Sequence, residues 1–330
     1  MRIALDAMGG DFAPAIPVAG AVEALADLPK SSEILLVGRT KDVEAELAKF
    51  GGSKPGIRIV EAPDVVEMGD KPLAAIRSKP NSSIAVGITL HKKGEADAFI
   101  SAGNTGAVMA ASTILLRLHD GVDRPAIGTA FPTGQKPVLV LDGGANVDCS
   151  PRELVGFARL GAVYARDVLG RPNPNVGLLN IGEEPEKGNL AVKEAHQLLL
   201  HSTHFRFIGN IEGGDVLSGK CDVVVCDGFT GNVVLKFYES VARLFKELFG
   251  RELDQGVLES AGVKKAFRVL DYSEYGGAPL LGVRGVSIIC HGRSSARAIK
   301  NAIRVAVQSV QNNLSEHIGA EFASADKAAV

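Results

Sequence analysis

Phe99-Ile100-Ser101-Ala102-Gly103-Asn104-Thr105-Gly106-Ala107-Val108 and Val224-Val225-Cys226-Asp227-Gly228-Phe229-Thr230-Gly231-Asn232-Val233 are two versions of one local design. In each, an apolar strand-like run meets G-x-T-G and then an amphipathic helical pattern. A strand handing over to a helix through a glycine corner is the building unit of an α/β fold. Such a corner aims backbone N–H groups, a Thr hydroxyl and an Asn amide past the strand end. Unpaired donors and the positive end of the helix dipole suit it to an anion. Two such corners in one chain predict a site for phosphate, or for an oxyanion formed during a reaction.

Outward from these corners, short aliphatic runs alternate with 3.6-period segments. Strands are expected at Ile3–Leu5, Ile34–Val37, Ile57–Val60, Ala98–Ser101, Ala126–Phe131, Val138–Leu141, Val176–Asn180, Phe205–Ile208, Val223–Cys226 and Val286–Cys290. Helices are expected at Pro17–Leu28, Val43–Phe50, Ser83–Lys93, Gly106–Leu118, Pro151–Val168, Leu190–His201, Gly231–Phe249 and Ser295–Gln311. The alternation predicts a three-layer α/β/α fold with a mainly parallel sheet. Pro132-Thr133-Gly134-Gln135 is turn chemistry, so the runs on either side predict a hairpin and a mixed sheet. No linker divides residues 1–330, which reads as a single catalytic domain. Residues 233–282 break the rhythm with consecutive helical patterns and no strand, an inserted excursion. The tail, 316–330, is expected to fray.

The 330 residues are 46% hydrophobic with a net charge of −2, ample for a core and without the basic stripe that nucleic acid requires. The four cysteines lie far apart, with no C-x-x-C pair and no clustered histidines, so no metal site is expected and reduced thiols in the cytoplasm are. Met1-Arg2-Ile3-Ala4-Leu5-Asp6 breaks its apolar run too early for a signal peptide. Ala98–Leu116 carries no charge, but the Gly103–Gly106 corner in its middle argues for a buried strand and helix over a membrane span.

In open α/β sheets, ligands collect beyond the carboxyl ends of strands. The loops there combine Gly with Asn, Asp, Ser or Thr. Their candidate contacts are Asp6, Gly9 and Gly10; Ser101, Gly103, Asn104, Thr105 and Gly106; Asn146; Asn189; Asp227, Gly228, Thr230 and Gly231; and His291 and Ser294. Each loop alone is an ordinary turn; together they predict a shared site. Gly214-Asp215-Val216-Leu217-Ser218-Gly219-Lys220 satisfies G-x-x-x-x-G-K, but Cys221 follows and a strand comes after it, the reverse of a phosphate-binding loop. No G-x-G-x-x-G opens a helix after the first strand, so no dinucleotide is expected.

Lys187 sits just before a helix, where a cation is unfavourable unless an anion lies between it and the helix. Asn232 is a poor interior helix former but a good amide donor. The pair would bind phosphate and stabilise a tetrahedral oxyanion. His291 is a weaker candidate base. Cys149, beside Asp148 near a helix start, leaves an acyl-enzyme open as an alternative, since thiol pKa values tend to fall there.

Asp6-Ala7-Met8-Gly9-Gly10-Asp11, Ser101–Ala107, Asp142–Cys149, Lys187-Gly188-Asn189 and Asp227–Asn232 together resemble the bacterial phosphate acyltransferase (PlsX) family, from residue 1 to about residue 315. The resemblance implies that inorganic phosphate attacks the thioester of a long-chain acyl-carrier protein, giving acyl phosphate for phospholipid synthesis. It implies a fold like isopropylmalate dehydrogenase and phosphotransacetylase, a homodimer, and a peripheral place on the inner face of the cell membrane, near a membrane glycerol-3-phosphate acyltransferase. Lys187 and Asn232 become the leading catalytic candidates. The reaction needs no redox cofactor and no nucleotide. Alternatives are an acyl-coenzyme A-dependent enzyme, a non-catalytic membrane scaffold or lipid sensor, and a hydroxyacid dehydrogenase of the related fold.

Along Gly231–Phe249, Val234, Phe237, Val241, Leu244, Phe245, Leu248 and Phe249 form one apolar face, which predicts a dimer seam. Leu253, Val257, Leu258, Ala261 and Val263 then precede Lys264, Lys265 and Arg268. Apolar residues beside a basic cluster predict a reversible membrane-facing tip, or a landing point for the acidic carrier protein.

Overall fold

The computed structural model describes residues 1–133, 136–270 and 272–325, without the side chains of 268–270, 272, 273, 324 and 325. The chain packs as two compact units, Met1–Pro125 with Tyr275–Val330, and Ala126–Glu274. The first stretch of unit 1 runs β1 (Arg2–Asp6), α1 (Ala15–Ala24), β2 (Glu33–Gly38), α2 (Thr40–Ala48), β3 (Ile57–Glu61), α3 (Pro72–Ser78), α4 (Ser83–Lys92), β4 (Ala98–Ser101) and α5 (Thr105–Leu115). Unit 2 follows with β5 (Ala126–Ile127), β6 (Thr129–Phe131), β7 (Val138–Leu141), α6 (Pro151–Asp167), β8 (Asn175–Leu179), α7 (Leu190–Leu200), β9 (Arg206–Ile211), β10 (Val223–Val225), α8 (Gly228–Glu252), α9 (Gln255–Leu258) and α10 (Ala261–Leu270). The chain returns to unit 1 with β11 (Ala278–Leu281), β12 (Ser287–Ile289), α11 (Ala296–Gln311) and α12 (Leu314–Ala325).

In unit 1 the sheet order is β3-β2-β1-β4-β12-β11, parallel except for the last pair. Ile3, Leu5, Ile34, Leu36 and Ile100 are wholly buried, and Ile299 and Ile303 of α11 join the same core. A parallel strand covered on both faces must be apolar throughout, which is why these strands read as unbroken aliphatic runs. After β1 the chain winds outward through β2 and β3, then returns to lay β4 on the other side of β1. That reversal opens a crevice at the carboxyl ends of β1 and β4.

Unit 2 repeats the arrangement with the order β6-β7-β10-β8-β9, parallel but for the β6–β7 hairpin. Here β10, last in sequence, inserts between β7 and β8, so the crevice lies where β10 ends.

The α/β class and the mixed, mostly parallel pairing follow the sequence pattern, with two sheets where one was expected. Two further differences have physical causes. The excursion predicted over 233–282 contains strand β11, whose short run with Pro279 carries no alternation to read. The tail expected to fray from 316 instead continues as α12, with Leu314, Ile318 and Phe322 buried at four-residue spacing. Residues 326–330, and the turn residues Gly134 and Gln135, lie outside the described residues.

Candidate active site

In unit 1 the candidates gather on the loops leaving β1, β4 and β12, which are adjacent strands. Asp6 ends β1 and is buried; its carboxylate accepts from Ser101 Oγ at 2.6 Å and from the Met8 N–H at 3.0 Å. Burial pushes the Asp6 carboxyl above the usual carboxylate range, against the pull of these hydrogen bonds. Ser101 Oγ in turn accepts the Gly103 N–H at 3.0 Å. Gly9 backs directly onto Asp6 and Gly103, and Gly9, Gly10, Ala102, Gly292 and Ser294 line a shallow surface recess.

Asn104 caps α5, accepting the Ala107 N–H at 3.0 Å, and its Nδ2 reaches the carbonyls of Glu67, Met68 and Asp70 at 3.1–3.2 Å. Both ends of this buried amide are therefore occupied by the protein itself. Thr105 and Gly106 follow as the first turn of α5. His291 is exposed; its Nδ1 accepts the Arg293 N–H at 3.1 Å and its carbonyl the Ser294 N–H at 2.9 Å.

The corner in unit 2 has a different register. Asp227 caps α8, so G-x-T-G is the first turn of the helix and does not precede it. The Asp227 carboxylate accepts the Thr230 N–H at 2.7 Å and the Thr230 hydroxyl at 3.0 Å. The Gly228 N–H goes to the Asn146 carbonyl at 2.7 Å. Donors expected to face an anion are thus engaged with the chain. Gly231 presses against the Asp142 carbonyl, an approach that no side chain permits.

What remains outward-facing is Asn232, exposed one helical step further on. It packs on Gly144, whose φ of +129° suits glycine, and a Cβ at Gly144 would lie 3.3 Å from Asn232 Cβ. Beneath Gly144, Asp142 is a hub. Its Oδ1 accepts from the N–H groups of Ile127, Gly144 and Ala145 at 3.0–3.2 Å; its Oδ2 accepts from Ala145 N, Asn146 N and Asn146 Nδ2 at 2.7–3.0 Å. Burial raises the Asp142 carboxyl above its ordinary pKa while these bonds pull it back.

Lys187 is exposed on the loop after β8, the strand paired in parallel with β10. Neighbouring strands lie about 4.8 Å apart, so the loop that leads to Lys187 and the helix that carries Asn232 leave the sheet side by side. The Lys187 N–H donates to the Glu184 carbonyl at 3.1 Å, and its own carbonyl accepts Asn180 Nδ2 at 3.0 Å. Glu184 O also accepts Asn210 Nδ2 at 2.9 Å, and Asn210 Oδ1 meets His196 Nδ1 at 2.9 Å, both side chains being buried. Since the amide oxygen only accepts, His196 carries its proton on Nδ1. The turn is held from inside the protein by a polar chain whose members come from α7 and β9. Asn189 caps α7 through the Val192 N–H at 2.9 Å.

Asp142, Asn180, Asn210 and His196 are absent from the candidates read in the sequence. Asp142 and Asn180 end apolar strands beside Gly-rich loops, a signal that was present; Asn210 and His196 lie mid-element and carry none.

Cys149 offers no activated nucleophile. Its half-buried thiol donates to the Asn146 carbonyl at 3.5 Å, and burial pushes it up to about 12, so it stays protonated at neutral pH and the helix start does not activate it. In the G-x-x-x-x-G-K stretch, Lys220 is taken up by Glu183 and by Asp215 at 3.3 Å, with a 3₁₀ turn at Gly213–Leu217.

In the excursion, Phe237, Leu244, Phe245, Leu248 and Phe249 are exposed along α8, with Phe245 stacked on Phe249. At the tip, Val257 and Ala261 are exposed, while Leu253, Leu258 and Val263 are half-buried. Lys264 pairs with Glu259 and Lys265 is exposed; the side chain of Arg268 lies outside the described residues. Among the described residues no His, Cys, Asp and Glu cluster suits a metal ion, and no helix is long and apolar enough to cross a membrane.

A model of the fatty acid synthesis protein family matches residues 1–317. Curated proteins named phosphate acyltransferase are similar over nearly the whole length. That of Desulforamulus reducens is 50% identical over 324 residues, covering 95% of both chains, and that of Heliobacterium modesticaldum is 49% identical over 330 residues, covering 96% and 98%. Among solved structures, the EutD phosphotransacetylase of Staphylococcus aureus superposes with a TM-score of 0.63 at 14% identity over 94% of each chain. A branched-chain phosphotransacylase of Enterococcus faecalis gives 0.62 at 14% identity, covering 94% and 99%. These structures share the fold; the family follows from the match along residues 1–317 and the identity near one half, and on that ground the chain is a member of the fatty acid synthesis protein family.

Proposed function

We propose that this protein transfers a long-chain acyl group from the thioester of acyl carrier protein to inorganic phosphate. A phosphate oxygen attacks the thioester carbonyl carbon, forming a tetrahedral oxyanion. Its collapse breaks the C–S bond and expels the carrier thiolate, which takes up a proton, leaving acyl phosphate. The Lys187 ammonium would offset the phosphate charge, and Asn232 Nδ2 would donate to the oxyanion. Gly10, Thr105, His291 and Ser294 remain candidate substrate contacts of unit 1, behind which the buried Asp6, Gly9, Ser101 and Gly103 hold the loops, and Asn146, Asn189 and Asp227 shape the loops of unit 2. The observation that carries this reading is that Lys187, on the loop after β8, and Asn232, in the early turns of α8 after β10, are exposed beyond adjacent strands of a chain whose near-full-length relatives are named phosphate acyltransferases.

The test is phosphate-dependent release of free carrier from palmitoyl-carrier protein, with the acyl phosphate trapped by hydroxylamine. Palmitoyl-coenzyme A in a parallel arm separates the carrier from the coenzyme as donor. Release from neither donor refutes acyl transfer.

The exposed face of α8 supports a homodimer, which sedimentation at micromolar concentration would detect; a monomer there refutes it. Val257, Ala261 and Lys265 support a reversible contact with the inner membrane face, where a membrane glycerol-3-phosphate acyltransferase would consume the product. Val257→Glu should lower flotation with anionic vesicles, and unchanged flotation removes the tip from this role.

A further inference from the structure

We infer that the rim around Lys187 and Asn232 carries a subsite for the acyl chain, built from Val147, Ile181, Leu190 and Phe229. It deepens the acyl-transfer reading above and rests on it. These side chains are 63%, 81%, 85% and 64% exposed, respectively, in a chain with a well-filled interior. One exposed leucine means little, since much of any protein surface is apolar. These four follow β7, β8 and β10, which are neighbours in one sheet: Val147 and Ile181 on loops, Leu190 and Phe229 at the starts of α7 and α8.

They also alternate with the groups assigned to the reaction. Val147 follows Asn146, Ile181 and Leu190 bracket the turn that bears Lys187, and Phe229 lies one helical turn before Asn232. The backbones of three of them are pinned. The Ile181 N–H donates to Asn180 Oδ1 at 2.8 Å, and Leu190 opens α7 directly after its cap. Phe229 stands between Gly228 and Thr230, whose N–H groups are both held at 2.7 Å. A firm backbone presenting bare apolar side chains has its ordering cost already met, and so binds chain methylenes without further loss of freedom.

The occupant follows from position. A thioester whose carbonyl lies beside Asn232 must lay its chain across whatever surrounds that amide, so a longer acyl chain covers more of this rim.

The experiment compares kcat/KM for octanoyl-, dodecanoyl- and hexadecanoyl-carrier protein, using the full-length chain and hydroxylamine trapping. For the wild type, kcat/KM should rise about two- to fourfold per methylene over the covered part of the chain. An Ile181→Ser/Leu190→Ser double variant should lose about tenfold on hexadecanoyl and about twofold on octanoyl carrier. Phe229→Ser, checked for an unchanged melting curve, repeats the measurement on another element.

Loss that grows with chain length supports the subsite. A flat wild-type profile, an equal loss at every length, or variants altered only in oligomeric state overturn it while leaving acyl transfer standing. A wild type that forms no acyl phosphate from any of the three overturns acyl transfer and the subsite with it.

Discussion

The G-x-T-G corners at Gly103–Gly106 and Gly228–Gly231 share their letters and differ in what they leave open. In unit 1, Asn104 precedes its helix and becomes the cap, and its buried amide is consumed by the Ala107 N–H and three carbonyls. In unit 2, Asp227 takes the cap and the same letters slide into the first turn. Asn232, three residues beyond the counterpart of Asn104, lies inside the helix and is exposed on Gly144. The amide that caps a helix is spent on structure, and one beyond the cap stays open to solvent.

The largest expected effect breaks or keeps this contrast at the two groups proposed for the reaction. Lys187→Ala and Asn232→Ala should each lower turnover about 100-fold or more with an unchanged melting curve. Near-normal rates in both would end the assignment.

Next comes stability. Asn104→Ala should cost about 2–4 kcal/mol in urea unfolding, because it removes a cap and leaves buried carbonyls unpaired. Asn232→Ala, being exposed, should stay within about 0.5 kcal/mol of wild type. Equal losses at the two positions would erase the distinction between spent and open amides.

The smallest effect sharpens the picture from behind. Asn210→Ala removes the donor that fixes Glu184 O under the Lys187 turn and should reduce kcat about tenfold while Lys187 itself is intact. An unaltered kcat would confine the His196–Asn210 pair to packing.

Much of the fold was legible because burial in a parallel sheet writes itself as unbroken aliphatic runs. Val138–Leu141 and Ala98–Ser101 begin and end in the structure where their apolar letters do. Strand β11 was not, since Ala278-Pro279-Leu280-Leu281 pairs antiparallel at its partner β12 and offers no turn or period to mark it. Helix α12 hid behind a small, polar ending that outweighed three well-spaced apolar residues. At the site, Lys187 and Asn232 stood out by being electrostatically or conformationally misplaced for their local element. The cap at Asp227 was hidden by the shared G-x-T-G letters, which suggest the same register in both corners although Phe229 stands where Asn104 caps. Asn210 and His196 were invisible for another reason: their meaning arises when α7 and β9 bring them under a loop remote in sequence.

Helix α8 runs unbroken for 25 residues, with Asn232 near its foot and Leu253 just past its top. At 1.5 Å per residue, a straight helix sets those two positions about 30 Å apart. Foot and top are the ends of a single rod. If acyl transfer occurs beside Asn232 and a membrane contact beyond Leu253, as proposed above, a fixed stride separates them, and an acyl phosphate released at the foot has that gap still to cross.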